Sequence, residues 1–192
     1  MRLFVGVELD EAQRRACADA VSNLQRQLTT ARKVSVRWIP DENLHITLWF
    51  LGELKEDAAS RVADAMRTPW TVDPFSLTVG GAGAFPPSGP PRILWLAVTE
   101  GADSLDKTYR ELAVRFAVLG YDAERRPYHP HVTIGRIRDV DRAGGRRVRE
   151  VLEGSAFTTA SRRVEALTLF QSRLSPHGAR YEALLRVPLK GC

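Results

Sequence analysis

The chain has 192 residues, 44% of them hydrophobic and 27% charged, and a formal net charge of +5. These are the proportions of an ordinary globular protein of one domain, or of two small lobes sharing a core. No apolar run approaches the ~18 residues a bilayer span needs, so a membrane role is not expected, and the basic excess favours an anionic partner without separating nucleic acid from small phosphates.

In chain order, residues 2–9 (RLFVGVEL) read as a buried strand. Asp10 is placed to cap a helix from Glu11 to about Leu28, with Ala12, Ala16, Ala20, Leu24 and Leu28 on its inner face. Residues 34–39 form a second strand, 40–43 are turn residues, and 44–52 form a third strand ended by Gly52. A helix is expected over about 55–66. Strands at 74–81 and 92–98 flank the glycine- and proline-rich loop 81–91, which reads as an ordinary hairpin connection, with a flank of the functional cleft as its alternative. An amphipathic helix over 102–119 carries Leu105, Tyr109, Leu112, Phe116 and Leu119 as its apolar stripe. A strand at 130–137, a short arginine-rich helix at 146–153, and strands at about 162–171 and 180–187 complete the chain. Several links are too short for parallel crossovers, which points to α+β with antiparallel or mixed sheets.

Cys17 and Cys192 stand far apart in no metal-type spacing and read as incidental thiols of a reducing compartment. The start, MRLFVGVELD, is too short and too alternating for a signal peptide, so the expected location is the cytoplasm.

One short phrase occurs twice. LHITL at 44–48 and HVTIG at 131–135 each set a threonine two residues after a histidine, within β-favouring residues, and the chain has only four histidines. On a strand, residues i and i+2 share a face. His45 with Thr47, and His131 with Thr133, therefore each present an imidazole and a hydroxyl opposite an apolar face. If the two polar faces meet across a cleft, they suit in-line attack at phosphorus. A neutral imidazole takes a proton from the nucleophile, a protonated one gives a proton to the leaving oxygen, and the hydroxyls donate to the non-bridging oxygens. Such a site needs no metal and no cofactor, because acid, base and oxyanion donors are all side chains.

Phe50 and Arg136 each follow a phrase histidine by five residues. Strict alternation puts both on the wrong face. A bend at Gly135 would bring Arg136 round to bind the phosphate; Phe50 reads as a core aromatic, with base stacking as its alternative role. His129 and His131 make an H-x-H that, with His45, resembles a three-imidazole zinc set, but Pro130 disturbs the strand and no fourth ligand is evident. His177 reads as a turn residue, with substrate contact as the alternative. The arginines at 136, 138, 142, 146, 147 and 149 read as a solvated helix face, with a rim guiding RNA phosphates as the alternative.

The stretches RWIPDENLHITLWFLGEL (37–54) and RPYHPHVTIGRI (126–137) resemble the two signature motifs of the two-histidine (2H) phosphoesterase superfamily. Within it they are most similar to the bacterial and archaeal RNA 2′,3′-cyclic phosphodiesterases, also called 2′-5′ RNA ligases or LigT-like proteins. RLFVGVEL, GAGAFPPSGPPRILWLAV and HGARYEALLRVPL extend the likeness almost end to end. The resemblance implies a single bilobal α+β domain over 1–192, with two pseudo-symmetric lobes around a central cleft. It implies metal-independent opening of an RNA 3′-terminal 2′,3′-cyclic phosphate to a 2′-phosphate, with 2′-5′ ligation as the reverse. It casts His45 as proton donor, His131 as base, and Thr47, Thr133 and Arg136 as phosphate-binding residues. RNA 3′ ends or cyclic nucleotides are the implied partners of a monomer; an RNA- or nucleotide-binding module with little turnover is the alternative. Two departures stand out: Trp49 is bulkier than expected, with a changed cleft shape as the consequence, and Gly135 replaces a more usual alanine, which would loosen Arg136.

Overall fold

A computed structural model describes residues 1–29, 34–175 and 178–191, without the side chains of Leu174 and Ser175. His177 and Cys192 lie outside the described residues. The elements are β1 (Arg2–Glu8), α1 (Glu11–Thr29), β2 (Val34–Trp38), a 3₁₀ turn (Asp41–Asn43), β3 (His45–Glu53), α2 (Glu56–Arg67), β4 (Phe75–Phe85), β5 (Ile93–Glu100), α3 (Ala102–Ala117), β6 (His131–Val140), α4 (Arg142–Glu153), β7 (Arg162–Val164), β8 (Ala166–Ser175) and β9 (Gly178–Pro188).

The strands form one sheet in the order β7-β4-β5-β6-β3-β1-β8-β9, with β2 paired to β6 off that path. Every pairing among the described strands is antiparallel. β6 and β3 meet in the middle of that order, with β5, β4 and β7 beyond β6 and β1, β8 and β9 beyond β3. The strands carrying the repeated phrase are therefore the central pair, opposed at Ile46 and Val132. Beyond Val132, β6 leaves β3 and takes up β2 instead, from Gly135 opposite Trp38 to Val140 opposite Val34. The gap between β2 and β3 opens one end of the cleft.

The helices cover the apolar side. Asp10 caps α1 by accepting from the Gln13 amide at 2.7 Å. The buried stripe of α1 is Gln13, Cys17, Ala20, Val21, Leu24 and Leu28, so Ala12 and Ala16 fall outside the inner face that the sequence suggested. Cys17 is fully buried, and burial pushes its thiol up to about 12. Helix α4 begins four residues before the expected start, because Asp141 caps it by accepting from the Gly144 amide at 2.7 Å. Its Gly144 and Gly145 are poor helix formers, but a Cβ on Gly144 would come within 2.8 Å of Val34 Cγ2, so the helix needs glycine to sit this close to β2. The single strand expected over 162–171 is two, because the chain passes from β4 to β1 at Glu165.

Candidate active site

The two phrases have the same backbone form. Over 45–50 and over 131–136 the burial alternates, then shows two buried residues in succession, then an exposed one. The cause is a β-bulge in each strand. In β3, Gly6 opposes Thr47 while Val5 opposes Trp49, so Leu48 is the extra residue. In β6, Trp95 opposes Thr133 while Leu94 opposes Gly135, so Ile134 is extra. A bulge shifts the alternation by one residue. It turns Phe50 onto the face of His45 and Thr47, and Arg136 onto the face of His131 and Thr133.

Each histidine is held in the same way. His45 Nδ1 lies 2.7 Å from the carbonyl oxygen of Asn43, and His131 Nδ1 lies 2.6 Å from that of His129. A carbonyl only accepts, so Nδ1 carries the hydrogen in both rings. In the neutral form Nε2 is then a bare lone pair. It faces the threonine of its own phrase: Thr47 Oγ1 at 2.8 Å from His45, and Thr133 Oγ1 at 3.2 Å from His131. The antiparallel register that opposes Ile46 to Val132 also sets His45 beside Thr133 and Thr47 beside His131.

Aromatic rings wall each imidazole. Phe4 packs on His45 at 4.8 Å, with Tyr181 edge-on at 5.1 Å. Phe85 meets His131 edge-on at 5.2 Å. This desolvation dominates the titration of both. Burial lowers His45 from its ordinary 6.5 to about 4, opposed by the Asn43 carbonyl and assisted by the charge of His131. Burial also lowers His131, opposed by the His129 carbonyl and assisted by His129 and Arg136. Both rings are therefore neutral at pH 7.

The cleft has two wings that share Thr47 and Phe50. The wing beside His131, about 810 Å³, is largely aromatic: Phe85, Tyr109 and Tyr128 line it with Pro86 and Pro87. The Tyr109 and Tyr128 rings stack at 4.6 Å, and the Tyr128 hydroxyl donates to the Thr47 carbonyl at 3.0 Å, tying the linker before β6 to β3. The wing beside His45, about 460 Å³, is basic: Arg2, Arg37 and Arg136 line it with Phe4, Thr133 and Tyr181.

The model of the 2′-5′ RNA ligase superfamily matches residues 18–175. The chain is similar to the RNA 2′,3′-cyclic phosphodiesterase of Methanothermobacter thermautotrophicus, at 34% identity over 94% of this chain and 95% of the relative. It is similar to the one of Thermotoga maritima at 30% identity, over 100% of this chain and 97% of the relative. Among solved structures, TT0787 of Thermus thermophilus superposes with a TM-score of 0.76 at 25% identity, covering 100% of this chain and 99% of its own. E. coli LigT complexed with 3′-AMP does so at 0.72 and 26%, over 98% and 97%. This chain belongs to the 2′-5′ RNA ligase superfamily.

In this member of the superfamily, all five sequence-chosen residues come together: His45, Thr47, Thr133 and Arg136 line the basic wing, and Thr47 and His131 the aromatic one. Trp49 lines the aromatic wing from a buried position against Tyr109 and Phe116, so its bulk does bear on the shape of the cleft. Two readings need correction. Phe50 is not a core aromatic; it is 51% exposed on the cleft face, with the Arg2 guanidinium 5.1 Å over its ring. Gly135 does not loosen Arg136. An added Cβ would lie 2.8 Å from Val36 Cγ1 and 3.3 Å from Trp38, so β2 clamps the backbone there. The loop 81–91 is a hairpin connection and also a cleft wall, through Phe85, Pro86 and Pro87. Arg149 of α4 holds it by donating to the carbonyls of Pro86 at 2.9 Å and Gly89 at 2.7 Å.

His129 sits in the aromatic wing against Phe85 and Trp95. Among the described residues, no three His, Cys, Asp or Glu side chains are grouped to hold a metal ion. Among them, too, no helix is long and apolar enough to cross a membrane. Sequence reasoning missed Arg2, Arg37, Tyr128 and Tyr181. Arg37 and Tyr128 fall inside the motif-like stretches, and their position before each histidine was the available signal.

Proposed function

We propose that this chain is a metal-independent RNA 2′,3′-cyclic phosphodiesterase that opens a 3′-terminal cyclic phosphate to a 2′-phosphate. Kinship supports the activity: relatives aligned over nearly the whole chain carry that name, and LigT has been crystallised with 3′-AMP. One observation carries the mechanism. Two Nε2 atoms, each fixed by a carbonyl on the opposite ring nitrogen, face one cleft from adjacent strands.

The cyclic phosphate lies between these Nε2 atoms. His131 Nε2, neutral, takes a proton from water as the water oxygen bonds to phosphorus. The bond from phosphorus to O3′ breaks on the far side, and His45 Nε2–H gives its proton to O3′. The donor state of His45 comes from the substrate, whose negative charge offsets the cost of charging a buried ring. The Thr47 and Thr133 hydroxyls, which rest on the Nε2 lone pairs, turn to the non-bridging oxygens. Arg136 neutralises the charge that builds there. Residues 1–192 act as one catalytic unit in this reading, since the two histidines come from the two halves of one sheet. A 5′-hydroxyl in place of water makes a 2′-5′ linkage by the same steps, with water favouring hydrolysis.

The test uses purified protein, EDTA and an RNA oligonucleotide ending in a 2′,3′-cyclic phosphate, with the product located by phosphorus NMR. A 2′-phosphate is expected from wild type, with His45→Ala and His131→Ala each slower by about 10²–10⁴-fold. A 3′-phosphate reverses the orientation of the substrate. Full turnover in both variants overturns the mechanism, and no turnover in wild type, with RNA still bound, makes the chain a binding module.

A further inference from the structure

The basic wing holds more cation than one reacting phosphate needs. Arg136 is accounted for by that phosphate, but Arg2 and Arg37 line the same wing and no Asp or Glu does. Among the described residues, none of the three forms an ion pair. Arg37 stands directly opposite Arg136 in the β2–β6 ladder. Like charges in that position destabilise a sheet unless an anion bridges them. Tyr181 lines the wing together with all three arginines, and while burial raises its hydroxyl pKa, the charges of Arg136, Arg2 and Arg37 pull it the other way. Arg2 lies two residues beyond Phe4 on one face of β1. Phe4 touches His45, and two residues of strand span about 6.6 Å, roughly one nucleotide step. The aromatic wing, by contrast, has Asp122 and Glu124 in its lining along with Arg92 and Arg126, so its cations are accompanied by carboxylates as those of the basic wing are not.

We propose that Arg2 and Arg37, with Tyr181, form a second phosphate site in the basic wing, which takes the internucleotide phosphate preceding the terminal nucleoside of an RNA. This rests on the function proposed above and adds to it a preference for RNA ends over mononucleotides, with the strand leaving the reacting centre on the His45 side.

The test compares a nucleoside 2′,3′-cyclic phosphate, with no second phosphate, and a dinucleotide ending in the same group, with one. Wild type should favour the dinucleotide in kcat/KM by about tenfold or more, the scale of charge-assisted contacts. That advantage should weaken with added salt, by a slope of about 0.7 per phosphate neutralised. In the double variant Arg2→Gln, Arg37→Gln the ratio should fall to within about twofold and the salt slope should flatten, while Arg37→Lys keeps the slope. A merely structural role would slow both substrates alike and leave the ratio intact. An unchanged ratio in the double variant, or none in wild type, overturns the proposal. Calorimetric binding of the nucleoside 2′-phosphate and the dinucleoside 2′-phosphate reads the same ratio without turnover. A chain that hydrolyses neither substrate but binds the dinucleotide tighter through these arginines loses the catalytic reading and keeps the site.

Discussion

Shifting the pH perturbs the two imidazoles directly, and the direction follows from their surroundings. The active form carries one proton on the pair, so kcat/KM reports the two macroscopic titrations of the free enzyme. His45 titrates at about 4, and His131 below its ordinary 6.5. The profile of kcat/KM is then a bell whose alkaline limb begins below pH ~6.5 and falls about tenfold per pH unit. In the substrate complex a phosphoryl anion lies against both Nε2 atoms. A unit charge about 4 Å away, at an effective dielectric of about 20, interacts by roughly 4 kcal/mol. An open, wet cleft leaves about a third to a half of that, or about 1 to 1.5 pKa units. The bell of kcat should therefore lie about 1 to 1.5 units alkaline of the bell of kcat/KM. Initial rates with a nucleoside 2′,3′-cyclic phosphate, at constant ionic strength and after checking recovery from each pH, give both profiles. A kcat/KM still rising above pH ~8, or coincident alkaline limbs, would refute the argument.

Three more outcomes follow from the packing. Burial of His45 as a neutral ring lowers its pKa from 6.5 to about 4, so the unfolded chain binds more protons between those values. Stability is full above 6.5 and is lost as pH falls towards 4, by up to about 3 kcal/mol; urea unfolding of wild type and His45→Gln at both ends reads it, and equal pH dependence would sink it. Gly135→Ala puts a methyl 2.8 Å from Val36 Cγ1 and should cost about 1–3 kcal/mol while raising KM through Arg136, with Val36→Ala in the same chain restoring both; a neutral single variant contradicts the clamp. Arg149→Ala frees the loop at Pro86 and Gly89 and should raise KM several-fold with a smaller change in kcat, so an unchanged KM means the wall stands without it.

The elements were legible because their signals are local. Asp10 before an apolar stripe starts α1, and the phrase histidines sit in runs that alternate as strands do. Misreadings came where packing across the chain overrides the local pattern. Gly144 and Gly145 look unlike a helix until Val34 is seen against the first and Pro91 against the second. Phe50 looks like a core residue by alternation, and only the extra residue Leu48, defined by its partners on β1, turns it outward. Arg2 and Arg37 carry no motif of their own. They become a cluster because β6 exchanges β3 for β2 after Val132, a choice of partner that no short stretch of sequence contains.

The repeated phrase is symmetric in its backbone and asymmetric in the side chain it turns outward at its end. The same bulge presents Phe50 from β3 and Arg136 from β6, at equivalent positions on the cleft face. A catalyst that moves one proton in and one out needs two imidazoles in equivalent settings, and the paired carbonyls at Asn43 and His129 supply them. It does not need two equivalent anion sites, because the substrate has its charge on one side and its nucleophile on the other. Exchanging Phe50 and Arg136 would keep both imidazoles, both bulges and both wings. It would move the cation from beside Arg37 to beside Arg2 and leave an aromatic ring against Thr133. The two wings would then no longer differ in the way that tells leaving oxygen from attacking water, and the exchanged chain should lose regioselectivity before it loses turnover.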